Sequence, residues 1–513
     1  MKNADERHSS DEGSMCDIPL FTGINHNIAY LQSALHHCAD MVYRSFLSTG
    51  HTQCCLLYVN GLVSSQQVDQ DLVLPLSEHM RDDSSKLTLD DAFQAVVIAS
   101  GAPLSTFVDV VNQVFKGQAI LLVDGEQKAL SFSVQQWAQR AVEEPGTESV
   151  IRGPREGFNE NVYVSMSLVR RKLPTPDLKF EMMQIGTYSK TTVILSYIGN
   201  IADPKMIEEV RSRLHRIHID GVLESGYIEE LIEDSPFSPF PQIQNTERPD
   251  VVAAMLLEGR AAILVDGTPF ALLMPVNFWG ALTSPEDYYD RFMIATFIRW
   301  LRLAFAGVAL FLPSLYVAVT TFHPEVLPMQ LLLSVAAARE NTPFPAMAEA
   351  LMMEVTFEAL REAGVRLPKT IGSAISIVGA LVIGQAAVQA GVVSAPMVII
   401  VAFTGIASFT VPRFNFAISL RMLRFPMIIL AGTLGIAGII IGLVAITIHV
   451  STLRSFGVPY MSPLAPANFN NFKDTLVRVP WWAMRSRPMQ NSKNNLIRQG
   501  NATSPNRRIP SDH

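Results

Sequence analysis

Between Thr342 and Thr370 the chain reads TPFPAMAEALMMEVTFEALREAGVRLPKT, which places Glu349, Glu354, Glu358 and Glu362 inside its most apolar half. Carboxylates in that setting are the residue type that attracts cations, because rings of acidic groups favour a positive ion. On a helix beginning near Pro345, Glu354, Glu358, Arg361 and Glu362 fall at i, i+4, i+7 and i+8, one stripe, while Leu351, Val355 and Ala359 lie on another face. The spacing predicts an amphipathic helix and not a lipid-facing span. Ionised groups at membrane depth are costly unless they face water or one another. Two settings fit: a vestibule or partner subunit, or the membrane interface with the glutamates in solvent. Further on, IGSAISIVGALVIGQAAVQAG carries Gly372, Ser373, Ser376, Gly379 and Gly384 together with Gln385 and Gln389 at i, i+4. Small residues let helices approach closely, and the glutamines offer polar groups to a neighbour or to water. Glu354, Glu358, Glu362, Gln385 and Gln389 are the candidate ion-path residues.

A second concentration of charge, ESVIRGPREGFNENV (Glu148 to Val162), holds Arg152, Arg155, Glu156 and Glu160 around glycines and a proline. It fits a binding surface built on charge-assisted contacts or a clamp between lobes. With Arg248, in the Pro-rich run EDSPFSPFPQIQNTERPD, the residues Arg152, Arg155 and Glu156 are the candidate subunit or lobe interface. The prolines make that run extended rather than helical. Asp124 and Asp266 read as turn residues. His36, His37, His215 and His218 lack the cysteine or carboxylate pattern of a metal site. No phosphate loop, HExxH or nucleophile elbow occurs, so neither an enzyme nor a cofactor or metal is expected.

These groups must be positioned by two unlike halves. The 513-residue chain is 49% hydrophobic and only 17% charged, high for a purely soluble protein. A net charge of -7 does not favour a nucleic-acid partner. Cys16, Cys38, Cys54 and Cys55 form no disulfide framework and are expected reduced. The polar N-terminus lacks the apolar core of a signal peptide, so the first domain is expected to stay in the cytoplasm.

The first half contains a repeat. GQAILLVDG (Gly117 to Gly125) matches GRAAILVDG (Gly259 to Gly267) at six of nine positions, and LLYVNGLV pairs with LSYIGNIA upstream at nearly the same offset. Apolar run, Asp-Gly, apolar run is a hairpin signal, and constant offset predicts a duplicated unit. In the second copy, DPKMIEEVRSRLHRI starts a helix at Asp203 and Pro204.

In the second half, Leu303 to Phe322 gives twenty residues without a charge, enough to span about 30 Å of hydrocarbon. Similar runs cover Ile371 to Gln389, Val392 to Val411 and Pro426 to Val450, and a shorter one, Val326 to Ala338, reads as re-entrant or steeply packed. Arg291, Arg299 and Arg302 precede the first span, and the segment from Ser451 onward carries nine Lys or Arg against two Asp, so both termini are expected on the cytoplasmic side. Arg413, Arg421 and Arg424 read as a headgroup anchor or a cytoplasmic loop. The expected fold is an α/β soluble N-terminal region of two related lobes followed by an α-helical polytopic membrane domain of about four spans. Its expected divisions are a lead-in at 1–50, a first lobe at 51–147, an Arg-rich connection at 148–190, a second lobe with the Pro-rich linker at 191–290, the membrane domain at 291–450 and a basic tail at 451–513.

The passages VIRGPREGF, DSPFSPFPQIQNTERPD, GRAAILVDGTPFAL, SPEDYYDRF, PFPAMAEALMMEVTFEALREAGVRLPKTIGSAISIVGALVIGQAAV and LRSFGVPYMSPLAP resemble the A subunits of spore germinant receptors, the GerA family. The resemblance runs from about Leu57 to Pro488, with Ser165 where an asparagine is expected. It implies a homo-oligomerising subunit in the phospholipid bilayer of the inner spore membrane. Its partners would be a permease-like B subunit and a lipoprotein C subunit, and it would answer nutrients by forming or gating an ion path. An accessory protein of the dipicolinic-acid release system in the same family, or a non-conducting scaffold, are the alternatives. A lone secondary transporter would show inverted repeats in the membrane half, whereas the repeat lies in the other half.

Overall fold

Two five-stranded antiparallel sheets with the same strand order make up the first half. The computed structural model describes residues 18–48, 52–78, 86–96, 101–135, 144–148, 150–366, 382–465, 467, 474–487 and 495–499. The first sheet joins β1 (Met41–Leu47), β2 (Gln53–Val59), β3 (Gly101–Leu104), β4 (Ala119–Val123) and β5 (Ala129–Phe132) in the order β1-β2-β4-β5-β3. The second joins β6 (Leu178–Ile185), β7 (Thr191–Ile198), β8 (Gln244–Thr246), β9 (Ala261–Val265) and β10 (Ala271–Met274) as β6-β7-β9-β10-β8. The sheets therefore begin at Met41 and Leu178, earlier than the sequence divisions at 51 and 191.

The residue pattern explains why both faces of the first sheet are covered. Along β2, Cys55, Leu57 and Val59 enter one apolar cluster and Cys54, Leu56 and Tyr58 the other, as the two-residue period of a strand requires. Each buried leucine or valine is worth roughly 1.5–3 kcal/mol. Helices α1 (Ile24–Ala34) and α2 (Phe107–Phe115) fill the first of these clusters. Burial pushes the Cys54 thiol up to about 12, so it behaves as a small apolar side chain.

In the second lobe, α3 (Val162–Lys172), α4 (Pro204–His215), α5 (Ser225–Ile232) and α6 (Pro249–Leu256) cover the sheet. Asp203 caps α4 through Lys205 N, with Pro204 in its first turn.

The duplication extends to individual hydrogen bonds. Asp124 Oδ1 accepts from Ile24 N at 3.0 Å and Asp266 Oδ1 from Val162 N at 3.1 Å. Next to them, Gly125 N donates to Thr22 O at 2.8 Å and Gly267 N to Glu160 O at 2.7 Å. Both glycines have positive φ, 94° and 88°, which the hairpin turn needs. Thus each Asp-Gly turn also docks the leading helix of its lobe, where a carboxylate complements the helix N-terminus.

Burial pushes the Glu229 carboxyl on α5 up to about 7, with Glu233 and Glu224 adding to the shift. The folded chain holds this proton more tightly than the unfolded one, whose value is 4.5. The stabilisation is full below 4.5 and is lost as pH rises through about 7, on the order of 1–3 kcal/mol. Glu229→Gln is expected to flatten that decline and raise the unfolding temperature at neutral pH, read by thermal unfolding of the detergent-solubilised chain between pH 5 and 8.

The second compact unit comprises the described residues of Asp234–Gln242 and Val276–Met484. It includes α7 (Phe292–Phe322), α8 (Met329–Arg339), α9 (Ala346–Arg366), α10 (Ala395–Phe409), α11 (Phe414–Leu434) and α12 (Ile436–Thr452). Among the described residues α7 and α11 are long and apolar enough to cross a membrane, and α8, α10 and α12 are shorter apolar helices. The run 234–242 belongs to this unit and is non-helical, with a turn at Pro236 and Phe237 closed by Ser238 N donating to Ser235 O at 3.0 Å; Phe240 packs with Phe416 and the Pro239 carbonyl accepts from Ser419 Oγ.

One expected span is overturned. Pro426 to Val450 is not a single helix: the chain turns at Gly435, φ 64° and ψ -141°, between α11 and α12. That conformation is open only to glycine at low cost. The two helices fold back tightly, since a Cβ on Gly438 would lie 2.1 Å from the Leu430 carbonyl oxygen. Of Ile371 to Gln389, 371–381 lies outside the described residues, as do Gly372, Ser373, Ser376 and Gly379, and 382–389 is helical.

Candidate functional site

The helical unit is built around a polar node. Helix α9 buries Ala346, Glu349, Ala350, Met353 and Glu354 and exposes Met352 and Val355, the latter 58% accessible. The acidic stripe is split: Glu354 is buried, whereas the side chains of Glu358 and Glu362 are 46% and 62% exposed. Val355 of the apolar face points outward, while Glu349 and Glu354 point in.

Glu354, 4% exposed, meets Arg424 of α11, 2% exposed, with Arg424 Nη1 2.5 Å from Glu354 Oε2. Arg424 Nε donates to the Ala309 carbonyl of α7 at 2.8 Å. That carbonyl is available because Pro313, four residues on, has no N–H to return to it. A proline-made gap in one helix is thus filled by an arginine from a second, whose charge is balanced by a glutamate from a third.

Glu349, fully buried, accepts from Ser394 N and Ser394 Oγ, both at 3.2 Å, at the N-terminus of α10, where its charge is favoured. Glu358 lies 3.1 Å from Arg361 and 3.4 Å from Arg421. Glu362 pairs with Arg366 at 2.6 Å on the exposed surface. Gln385 and Gln389 are exposed.

Arginines singled out in the apolar half have carboxylate partners. Arg421 and Arg424 are buried and pair with glutamates, and Arg413 is buried as well. Arg299 and Arg302, expected to mark the cytoplasmic flank, converge on the buried Asp287 at 3.0 and 2.9 Å. An arginine inside a helical bundle carries its own partner, since an unpaired buried charge is too costly. Sequence reading located the glutamates but not these partners. The only signal was the recurrence of arginine inside apolar runs.

The candidate interface residues separate in the structure. Arg248, fully buried, binds Asp250 through Nε at 3.1 Å and Nη2 at 2.8 Å and donates to the carbonyls of Pro154 and Glu148 at 3.0 and 3.3 Å, so it clamps the 148–154 loop within the second lobe. Glu156 pairs with Arg171 and, at 3.0 Å, with Lys172. Arg152 and Arg155 are exposed, the latter 3.8 Å from Glu144. Ser165 donates to the Asn159 carbonyl at 3.2 Å.

The junction of the lobes rests on residues that sequence reading did not single out. Arg170 of α3 is fully buried, binds Asp40 through Nε at 2.6 Å and Nη2 at 3.0 Å, and donates to the carbonyls of Thr175 and Leu178. Its guanidinium lies 4.7 Å from the Phe115 ring centroid and 4.8 Å from that of Phe180, one from each lobe.

The family model for the Bacillus/Clostridium GerA spore germination protein matches residues 29–490. The chain belongs to the GerA family. It is 49% identical over 93% of its length to an uncharacterized membrane protein, YfkQ, of Bacillus subtilis, covering 93% of that protein. It is 48% identical over 92% to spore germination protein KA of the same organism, covering 88% of it. The crystal structure of the N-terminal domain of the A subunit of the Bacillus megaterium spore germinant receptor GerK3 aligns with 51% of the chain and 98% of that domain, at 34% identity and a TM-score of 0.41. The family resemblance read from the sequence is thereby confirmed.

Proposed function

We propose that the chain is the A-type subunit of a nutrient germinant receptor, embedded in the inner spore membrane, that starts germination by forming or gating an ion path. The observation that carries this reading is helix α9, whose Glu349 and Glu354 are buried while Val355 is 58% exposed. A helix of that kind suits a lipid environment, because hydrocarbon covers the apolar face and the bundle interior compensates the charges. Exposed Ile399, Phe403 and Ile406 on α10 and Ile440, Ile441 and Val444 on α12 fit the same surroundings. Relatives named as spore germination proteins and as a membrane protein support both parts of the reading.

The C-terminal segment supports termini on one side, in this reading the cytoplasmic one. The described residues 485–487 and 495–499 belong to the compact unit of the lobes, where Arg487 Nε donates to the Leu257 carbonyl at 2.9 Å and Arg498 reaches Glu258 at 3.1 Å.

The receptor would be completed by further copies of the chain, a permease-like B subunit and a lipoprotein C subunit, with no chemistry of its own beyond the ion path. Within that path Glu358, Glu362, Gln385 and Gln389 offer accessible polar groups, while Glu354 acts as the latch that holds α9 to α11.

Spores carrying Glu358→Gln/Glu362→Gln, which spares the buried pair, are expected to release ions and germinate several-fold more slowly on nutrient at unchanged protein level. Wild-type ion release from this variant, and from one that also carries Glu354→Gln, would make the stripe structural and remove the ion-path assignment.

A further inference from the structure

Beside the Glu354–Arg424 pair, two guanidiniums share one carboxylate. Arg361 Nη1 is 3.1 Å from Glu358 Oε2, and Arg421 Nη1 is 3.4 Å from Glu358 Oε1. With Arg424 matched by Glu354, this group of three carries one positive charge in excess. The arginine side chains are only 11% and 9% exposed, and the Nε of each finds no hydrogen-bond acceptor among the described residues.

Such donors are expensive to leave unmet: a buried N–H without an acceptor costs about 1–3 kcal/mol, more on a charged group. Neither guanidinium can easily swing out. Arg361 lies 5.4 Å from the Phe357 ring centroid and 5.1 Å from that of Phe409, with Ser408 Oγ 3.5 Å from its Nη2, and Arg421 lies 5.8 Å from the Phe414 centroid. Glu358 is 46% exposed, so the cluster is open at that edge.

We propose that Arg361 and Arg421 form a binding site for a phosphate-type oxyanion, supplied by a phospholipid headgroup or by free phosphate. A tetrahedral phosphate has enough acceptor oxygens to meet two planar donor forks at once, which a further carboxylate does less well. The stacking rings Phe409 and Phe414 are themselves 69% and 65% exposed and sit where acyl chains would lie beside a headgroup, which favours the lipid source. The site shares Glu358 with the ion-path assignment, but binding by the purified chain tests it without reference to germination.

The full chain in uncharged detergent is titrated with phosphatidylglycerol in mixed micelles and, separately, with inorganic phosphate, while the unfolding temperature is followed. A saturable rise is expected with phosphatidylglycerol. The apparent affinity should fall about tenfold or more in Arg361→Gln and in Arg421→Gln. Glu358→Gln, which frees both Nη1 donors, should bind several-fold more tightly. A response to phosphatidylglycerol alone identifies the headgroup as the source, and a response to inorganic phosphate alone identifies the free anion. The site is overturned if neither probe gives a saturable rise, or if the rise is unchanged in the arginine variants. Should those variants fail to fold, Glu358→Gln decides: equal or weaker binding overturns the site.

Discussion

Replacing Arg424 by methionine is expected to be among the most damaging single changes in the helical unit, at a cost of about 3–5 kcal/mol. The substitution keeps the length and apolar stem of the side chain but strands Glu354, 4% exposed, without its partner. It also removes the donor to the Ala309 carbonyl, which Pro313 cannot supply. Breaking one side of a buried pair differs sharply from removing both, because the larger part of the cost is the uncompensated charge. Arg424→Met/Glu354→Leu should therefore recover most of the loss, leaving only the carbonyl unmet. The check is a double-mutant cycle on the unfolding temperature of the detergent-solubilised chain, with spore germination as a second readout. Strict additivity, with the double variant as unstable as the sum of the singles, would show that the two residues do not act as a pair.

The second large effect is expected at the junction of the lobes. Arg170→Leu removes a fork bound to Asp40 at two points, two donors to the carbonyls of Thr175 and Leu178, and a cation held between two rings. It leaves Asp40, 1% exposed, as a lone buried carboxylate, again at about 3–5 kcal/mol. Arg170→Lys should recover little, since an ammonium cannot reproduce the two-point fork or the stacking. Limited proteolysis of the full chain should then open the first lobe while cleavage within the helical unit stays slow. Wild-type resistance in Arg170→Leu would assign the joining of the lobes to other contacts, among them the bridge between Cys38 and Phe180.

Glu354 and Gly435 show where sequence reading reaches its limit in the site. The helical spacing of Glu354, Glu358 and Glu362 was visible because periodicity is local, and α9 does carry them. Which member of the stripe turns inward is not visible locally: the burial of Glu354 depends on what lies seventy residues away, where Arg424 sits in an apolar run. The break at Gly435 was hidden for a related reason. A long apolar run satisfies the length rule for one span, and only the packing of Gly438 against Leu430 shows that the chain turns back within it.

The sequence by itself determined the duplicated lobes, their hairpins at Asp124 and Asp266, the division into two unlike halves and the family, because repeats, turn residues and hydropathy are properties of neighbouring residues. The tertiary structure decided which charges meet: Arg170 with Asp40, Arg424 with Glu354, Arg299 and Arg302 with Asp287. The physical reason is that a buried charge is tolerated only beside its counter-charge, and the partner is chosen by how helices and sheets pack, far along the chain from the residue it neutralises.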